Sequence, residues 1–407
     1  MNTILFAIPV FLLTILGEAA YAWARYRHKN IYDIPDTVTS LHQGVLSQLS
    51  GLLFKVLFVG LYVSMYEHYR VTALSADNVW VWIAALLFYD FCYYWSHRLY
   101  HEVAIFWASH IVHHSSEYYN LSTALRQPST DWLFGWLFFL PLAVVGVPPE
   151  VFIGVGLIDL LYQYWVHTEM VGKLGWFDTV FVSPSNHRVH HGKNDYCIDK
   201  NYGGIFIIWD RLFGSYQVER DDQPVVYGIR TPLHSYNPLW GVLHYYHELY
   251  LAARAASGWR AALALWIAPP GDWHDAGLPH LDTTGMQRFR SNTPPALRWY
   301  AALHYLLYVP LFMHCLAVGE QLSALSLALY VGVLILTMQS LGALLNGARH
   351  ALRLEQCRCL MLGITFFALP DWFTYTAPLW LKIAVLLSAA GSALWLMQAS
   401  QREQTSR

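Results

Sequence analysis

Long apolar runs constrain this chain more than any other feature. A helix that crosses a bilayer needs about 20 mostly apolar residues, and hydrocarbon admits only structures that satisfy their own backbone. Residues 2–24, 44–66 and 78–96 reach that length, so three spans are expected there. Residues 132–168 hold two further runs split by Val147-Pro148-Pro149, where prolines end one helix and start another, which predicts a hairpin shorter than the membrane is thick. Apolar runs return at 299–317, 322–345, 357–370 and 379–397, for three or four more spans. The composition agrees: 56% of residues are hydrophobic and 13% charged, against about 25% charged in soluble domains. The expected fold class is an all-α integral membrane protein, a polytopic helical bundle. The run at 2–24 precedes its basic residues Arg25, Arg27 and Lys29 instead of following them, so it reads as an anchoring span rather than a secretory signal.

Between the two sets of runs, residues 169–297 are more polar and rich in turn-forming groups such as SPSNH and DDQP. They predict an extramembrane helical cap with one long helix over 239–268, whose mix of aromatic and apolar residues suits the headgroup region. The chain accordingly divides into a membrane and cap portion, 1–297, and a C-terminal membrane portion, 298–407. Basic residues after the first span and at Arg349, Arg353 and Arg358 orient the chain by the positive-inside rule, with the cap on the cytoplasmic face. The net charge of −2 provides no basic field for nucleic acid. The five cysteines lack zinc-ligand spacing and read as reduced and structural, Cys357 and Cys359 included.

The chemistry lies in nine histidines. His97 and His101 form H-x-x-x-H, one helical turn apart on one face; His110, His113 and His114, and again His187, His190 and His191, form H-x-x-H-H. In each of these groups the first two rings are expected to share a face and the third to turn about 100° further, toward a second metal. His167 adds a ninth ring. One isolated histidine is ordinarily a polar surface residue, but repeated H-x-x-H-H groups in apolar, aromatic surroundings are not a solvated histidine tract. Nine rings are too many for one tetrahedral zinc. Neutral ligands leave two metals their positive charge, which suits dioxygen reduction, although imidazole also accepts zinc, copper or nickel. Asp90 and Asp159 lie in the apolar runs leading to the ligands, where a carboxylate costs about 2.5–3.5 kcal/mol and needs a partner. They are expected to accept the imidazoles' other N–H and fix their tautomers.

HRLYHE, HIVHHSSEYYNLSTALRQ, LLYQYWVHTE and PSNHRVHHGKNDYCIDKNYGGIFIIWDRLFGSY, in this order on a polytopic chain, resemble the fatty acid hydroxylase and sterol desaturase superfamily, and within it the alkylglycerol monooxygenase family. The likeness is strong over roughly residues 80–220 and otherwise one of layout. It implies two iron ions held by His97, His101, His110, His113, His114, His167, His187, His190 and His191. It also implies dioxygen as oxidant, tetrahydrobiopterin as electron donor, and hydroxylation of an ether lipid beside its ether oxygen, releasing fatty aldehyde and glycerol. Glu102 is singled out by the same likeness as a residue of the reaction. Asn186 stands where members often carry histidine, so the pocket differs locally while the H-x-x-H-H group is intact. Tyr118, Tyr119, Asn120, Arg126 and Gln127 are candidates to face headgroups or the reductant, whereas His234, His244, His247, His274 and His280 read as isolated structural residues. Two rival functions share these features: hydroxylation or desaturation of a sterol, fatty acid or carotenoid, and non-enzymatic metal carriage. Against the second, no trail of polar residues runs through the spans.

Overall fold

Sixteen α-helices and no strand make up the residues that the computed structural model describes, 2–271 and 280–405. They fall into two compact units, one of residues 10–233 and 240–289, the other of 1–9, 234–239 and 290–407. The helices are α1 (Asn2–Arg25), α2 (Ile34–Tyr69), α3 (Val79–Glu102), α4 (Ala104–His114), α5 (Leu121–Ala124), α6 (Gly135–Val145), α7 (Pro149–Trp165) and α8 (Phe177–Val180). There follow α9 (Pro184–His190), α10 (Ile208–Phe213), α11 (Pro238–Ala255), α12 (Trp259–Ile267), α13 (Pro295–Val318), α14 (Ala324–Leu345), α15 (Ala351–Ala368) and α16 (Leu379–Thr405).

The first unit is organised around α3. Asn78 caps its start by accepting from the Trp80 N–H at 3.0 Å. One face of α3 packs with α2, α6 and α7 in a core that includes Val81, Ala85, Leu142, Val151 and Phe152, each large side chain contributing roughly 1.5–3 kcal/mol by burial. Tyr62 stacks on Phe152 at 3.9 Å and its hydroxyl donates to the Val147 carbonyl at 2.9 Å, tying α2 to the bend between α6 and α7. The extended residue Val103 separates α3 from α4, and the freed Ala104 N–H donates to the Ala268 carbonyl at 2.9 Å. The end of α3 and all of α4 are thereby fixed as two arms of one corner.

In the second unit α15 and α16 pack along each other so closely that a Cβ on Gly363 would lie 2.5 Å from that of Ala389, the small-residue contact typical of membrane helices.

Among the described residues four helices are long and apolar enough to cross a membrane: Ile4–Arg25, Pro295–Gln321, Ala324–Leu345 and Leu379–Ala399, with α2, bent by 48°, as a fifth. Two expected spans are not among them. The run at 78–96 sits in α3, whose later turns carry Asp90, Ser96, His97, Arg98, His101 and Glu102. The run at 357–370 belongs to α15, which starts earlier and takes in Arg353, Glu355 and Arg358. Arg358 is buried against Glu355, so it is not the surface cation used above to set orientation. The hairpin is present as α6 and α7, and the 11 residues of α6 reach only about 16 Å, half a hydrocarbon core. The single helix expected over 239–268 is two helices, broken at Ser257-Gly258, two adjacent poor helix formers.

Gly146 ends α6 with a left-handed φ of 100°, and a Cβ there would lie 2.2 Å from the Thr72 carbonyl oxygen. Gly146→Ala should therefore cost at least about 1 kcal/mol and lower the thermal midpoint of the purified protein by several degrees, whereas alanine at Gly17, which has open space around it, should leave it in place.

Candidate metal centre

The corner between α3 and α4 brings four helix segments together. His97 and His101 end α3; His110, His113 and His114 end α4; His167 follows α7; His187 and His190 lie on α9 with His191 directly after it. Eight of the nine are buried and His101 is half-buried. They sort into two groups whose donor atoms all lie within 4.8 Å of one another: His97, His101, His110, His114 and His190, and His113, His167, His187 and His191. The groups share a wall, for the His114 and His191 rings stack 4.3 Å apart.

This division corrects the expected one. Within each H-x-x-H-H group the first and third rings act together and the middle ring crosses over: His110 and His114 join one group, His113 the other, while His187 and His191 join the second and His190 the first. Four residues turn a helix by about 400°, a 40° offset, whereas three leave about 60° in the opposite sense. The i,i+4 pair is the better aligned, and the two opposed helices exchange their middle rings.

The orientation of the rings indicates what they hold. His97 Nδ1 donates to the Tyr202 carbonyl at 2.8 Å, His113 Nδ1 to Arg126 at 2.9 Å, His167 Nδ1 to Gln163 at 2.7 Å and His190 Nδ1 to Lys200 at 3.0 Å. A neutral ring with its proton on Nδ1 presents a bare lone pair at Nε2. Yet His113 and His167 bring their Nε2 atoms to 3.3 Å, where neither can donate. Further Nε2 pairs are His97–His110 and His110–His114 at 3.1 Å, His167–His187 at 3.1 Å and His187–His191 at 3.2 Å. Two nitrogens about 2.1 Å from one ion at a right angle stand about 3 Å apart. Lone pairs facing at this distance repel unless a cation lies between them, so both groups fit a metal ion. The buried Nε2 atoms of His101 and His190, which have no hydrogen-bond partner, fit it as well.

The surrounding acids act one step further out than expected. Asp90 accepts from the Ile205 N–H at 2.6 Å, the Phe206 N–H at 3.1 Å and the Trp209 indole at 2.8 Å, not from an imidazole. It holds the loop whose Tyr202 carbonyl orients His97. Asp159 accepts from the Gln163 amide at 2.6 Å, and it is Gln163's own carbonyl that takes the His167 proton. Backbone carbonyls take the Nδ1 protons of His97, His113, His167 and His190, so these four rings leave no N–H for a carboxylate to accept. Asn186 completes a capping box with Ser183 at the start of α9. Glu102 pairs with Arg98 at 2.9 Å on the half-exposed end of α3, outside both groups.

Sequence reasoning missed Asp210, which receives the Tyr202 and Gly203 N–H groups at 2.7 and 2.8 Å and the Ser215 hydroxyl at 2.7 Å. Burial pushes its carboxyl up to about 6. It also missed Glu18 on α1, which accepts from the Leu121 N–H at 2.8 Å and from Thr168, the neighbour of His167. Of the residues expected to face headgroups or reductant, Tyr118, Tyr119, Asn120 and Arg126 are buried scaffold. Tyr119 lies against His167 at 5.6 Å and donates to the Val166 carbonyl, and Arg126 reaches Asp36 at 2.7 Å, Ser40 and Ser115 at 3.0 Å. Gln127 donates to the Ala124 carbonyl. Among the isolated histidines, His234, His244, His247 and His280 join neither group, and His274 lies outside the described residues.

A third set of donors, His304, Glu355 and Cys359, sits in the second unit. The Arg358 Nη2 already occupies its middle, 2.5 Å from Glu355 Oε1 and 3.2 Å from both His304 Nδ1 and Cys359 Sγ. An arginine cannot lose its proton there, so this set is an ion-pair cluster and not a metal site.

A helical membrane chain whose two adjoining all-histidine groups each fit a cation belongs to the class of membrane-bound, metal-dependent lipid oxygenases, and residues 82–215, all nine histidines included, match the fatty acid hydroxylase family. Residues 297–375 match the alkylglycerol monooxygenase C-terminal domain. Alkylglycerol monooxygenase of Homo sapiens is 38% identical over 363 residues, 87% of this chain and 80% of its own; that of Danio rerio is 36% identical over 405 residues, 97% and 88%. An ornithine lipid hydroxylase of Rhizobium tropici is 32% identical over 135 residues, 33% of this chain and 41% of its own. No solved structure matches. The chain belongs to the alkylglycerol monooxygenase family and is an oxygen-dependent monooxygenase.

Two outcomes follow from this geometry. His113→Ala removes one of only four donors in its group, so bound metal measured by elemental analysis should fall by about half and turnover with it; full metal content would show that His113 is not a ligand. Burial also holds the His113 ring down to about 4, and holds His167, His187 and His191 well below the ordinary imidazole value. The unfolded chain then takes up protons below about pH 6.5 while the folded chain does not. Stability is therefore complete above pH 6.5 and lost as the pH falls toward 4, which melting curves of the metal-free protein between pH 7.5 and 4.5 should record as a progressive drop of several degrees.

Proposed function

We propose that the two histidine groups hold two iron ions and that the protein hydroxylates an alkylglycerol ether lipid on the carbon next to its ether oxygen. The hemiacetal so formed breaks its bond between that carbon and the ether oxygen, giving a fatty aldehyde and glycerol. Bound at these groups, iron would supply the reduction of dioxygen that places one oxygen atom on the substrate carbon and releases the other as water, with two electrons from a donor. The observation that carries this reading is the set of Nε2 atoms facing each other at 3.1–3.3 Å, with the Nδ1 protons of both His113 and His167 held by backbone carbonyls.

The chain's own part is positional. The carbonyls of Tyr202, Lys200, Arg126 and Gln163 keep the rings in one tautomer; Asp90 and Asp159 hold the segments that carry two of those carbonyls. The apolar residues around the groups keep water from the reacting carbon. Zinc suits the same donors and would compete in purified protein. We assign tetrahydrobiopterin as the electron donor on the strength of family resemblance, and Glu102, accessible beside His101 and in contact with Arg98, as a residue that meets it. The histidine-bearing portion, 1–297, is the catalytic one and 298–407 a C-terminal membrane portion. The basic residues Arg25, Arg27 and Lys29 favour a cytoplasmic catalytic face.

Iron-loaded protein incubated with an alkylglycerol and oxygen should release fatty aldehyde only when reduced pterin is added. Aldehyde formation with another donor alone would remove the pterin; oxidation of a sterol or free fatty acid in place of the ether would remove the substrate. Glu102→Gln should lower turnover at least about tenfold with both metals retained, since Glu102 lies outside both groups.

A further inference from the structure

The last two helices of the cap leave an apolar face uncovered. On α12, Trp259, Leu263 and Ile267 are four residues apart, share one face, and are 69%, 59% and 71% exposed. On α11 the exposed face carries Trp240, Leu243, Tyr250 and Leu251 together with His247 and Arg254. Glu248, at its margin, is the one acid on either helix, and α12 has none. Arg260 lies 5.3 Å over the Trp259 ring and Arg254 5.8 Å over that of Tyr250. A helix facing water would carry charge where α12 carries tryptophan, leucine and isoleucine. Large apolar side chains flanked by arginines and without acids suit the boundary between acyl chains and anionic headgroups. The same unit contains residues 10–25 of α1 and the bent α2, so a bilayer is within reach of it.

The inner faces of these helices lead to the histidines. Leu249 and Tyr245 of α11 and Trp266 of α12 pack with Ala104, Ala108, Ile111 and Trp107 of α4. The Trp107 ring lies 4.9 Å from His101 and 5.5 Å from His114, both in the five-histidine group. The sequence from the exposed stripe through Trp266 and Trp107 to that group is apolar throughout. The bond from the Ala104 N–H to the Ala268 carbonyl fixes the end of α12 to the start of the helix that presents His110 and His114.

We propose that α11 and α12 lie in the membrane surface, and that the layer of Trp266 and Trp107 is the route by which the alkyl chain of a lipid passes from the bilayer to the five-histidine group. The route rests on the lipid monooxygenase reading; the membrane contact does not. The occupant of the exposed face is lipid and not a partner protein, because the arginines complement anionic headgroups and the aromatic side chains need no matching surface.

The test uses the full chain in phosphatidylcholine and phosphatidylglycerol vesicles. Cys357, the exposed cysteine among five otherwise buried ones, is changed to serine, and Leu263→Cys carries an environment-sensitive fluorophore. Brominated lipid should quench the label and aqueous iodide should not. Absence of quenching by brominated lipid would overturn the membrane contact: quenching by iodide alone would show water on the face, and quenching by neither would show protein over it. Separately, Trp266→Ala and Trp107→Phe should change the ratio of kcat/KM for long against short alkyl chains by at least threefold, with metal content at the wild-type level. An unchanged ratio in both variants would overturn the route while the label result stands. Absence of any lipid oxidation by the parent protein would instead count against the functional reading and leave the fluorescence result to decide the membrane contact.

Discussion

A neutral imidazole has one proton to place, and the rest of this structure depends on where it goes. Four of the nine rings give Nδ1–H to a backbone carbonyl, which leaves Nε2 to the interior. A carbonyl serves this purpose better than a carboxylate, since it fixes the tautomer without adding charge to a buried site. Side-chain anchors hold the residues or loops that carry three of the four carbonyls instead. Asp210 and Asp90 hold the Tyr202–Phe206 loop, Arg126 is held through its guanidinium by Asp36, Ser40 and Ser115, and Gln163 through its amide by Asp159 and Tyr93.

Two ion pairs are buried in this core. Arg126 and Asp36 meet at 2.7 Å, both buried, and Arg188 meets Glu219 at 2.7 Å while also donating to the Thr168 and Val171 carbonyls. Pairs of this kind gain little net stability over apolar residues, but removing one partner typically costs about 3–5 kcal/mol. They therefore act as geometric constraints. Arg188 lies on α9 between two ligands and binds the segment after His167, so one side chain keeps the ligands of the second group in register across 20 residues of chain.

The donors were legible in the sequence and their grouping was not. Repeated H-x-x-H-H units mark candidate ligands because side-chain spacing is written in the chain, and the helices carrying them follow from apolar runs and caps. Which rings act together is set by a difference of some 20° between two nearly equivalent spacings and by the helix opposite. The carbonyls of Tyr202, Lys200, Arg126 and Gln163 leave no trace in residue type, so Asp90 and Asp159 were credited with a bond that belongs to the backbone. Glu18 was hidden for another reason: an acid within an apolar span gives no sign of its partner, which lies about 150 residues away in Thr168. The expected spans at 78–96 and 357–370 lie within α3 and α15, longer helices that also carry Asp90, His97, Arg98 and Glu102, and Arg353, Glu355 and Arg358.

The cluster in the second unit shows why donor type alone does not define a metal site. The donor atoms of His304, Glu355 and Cys359 are as close together as those of the two histidine groups. There, however, the lone pairs converge on an arginine nitrogen, with Tyr300 and Ser340 completing the coordination of Glu355 at 2.8 and 2.6 Å. In the histidine groups no donor hydrogen reaches the space between His113 and His167, because both protons point outward to carbonyls. The criterion that separates the two is the location of the protons: a site whose convergent atoms are all acceptors is completed by a cation from outside the chain, whereas one that contains a permanent donor is already complete.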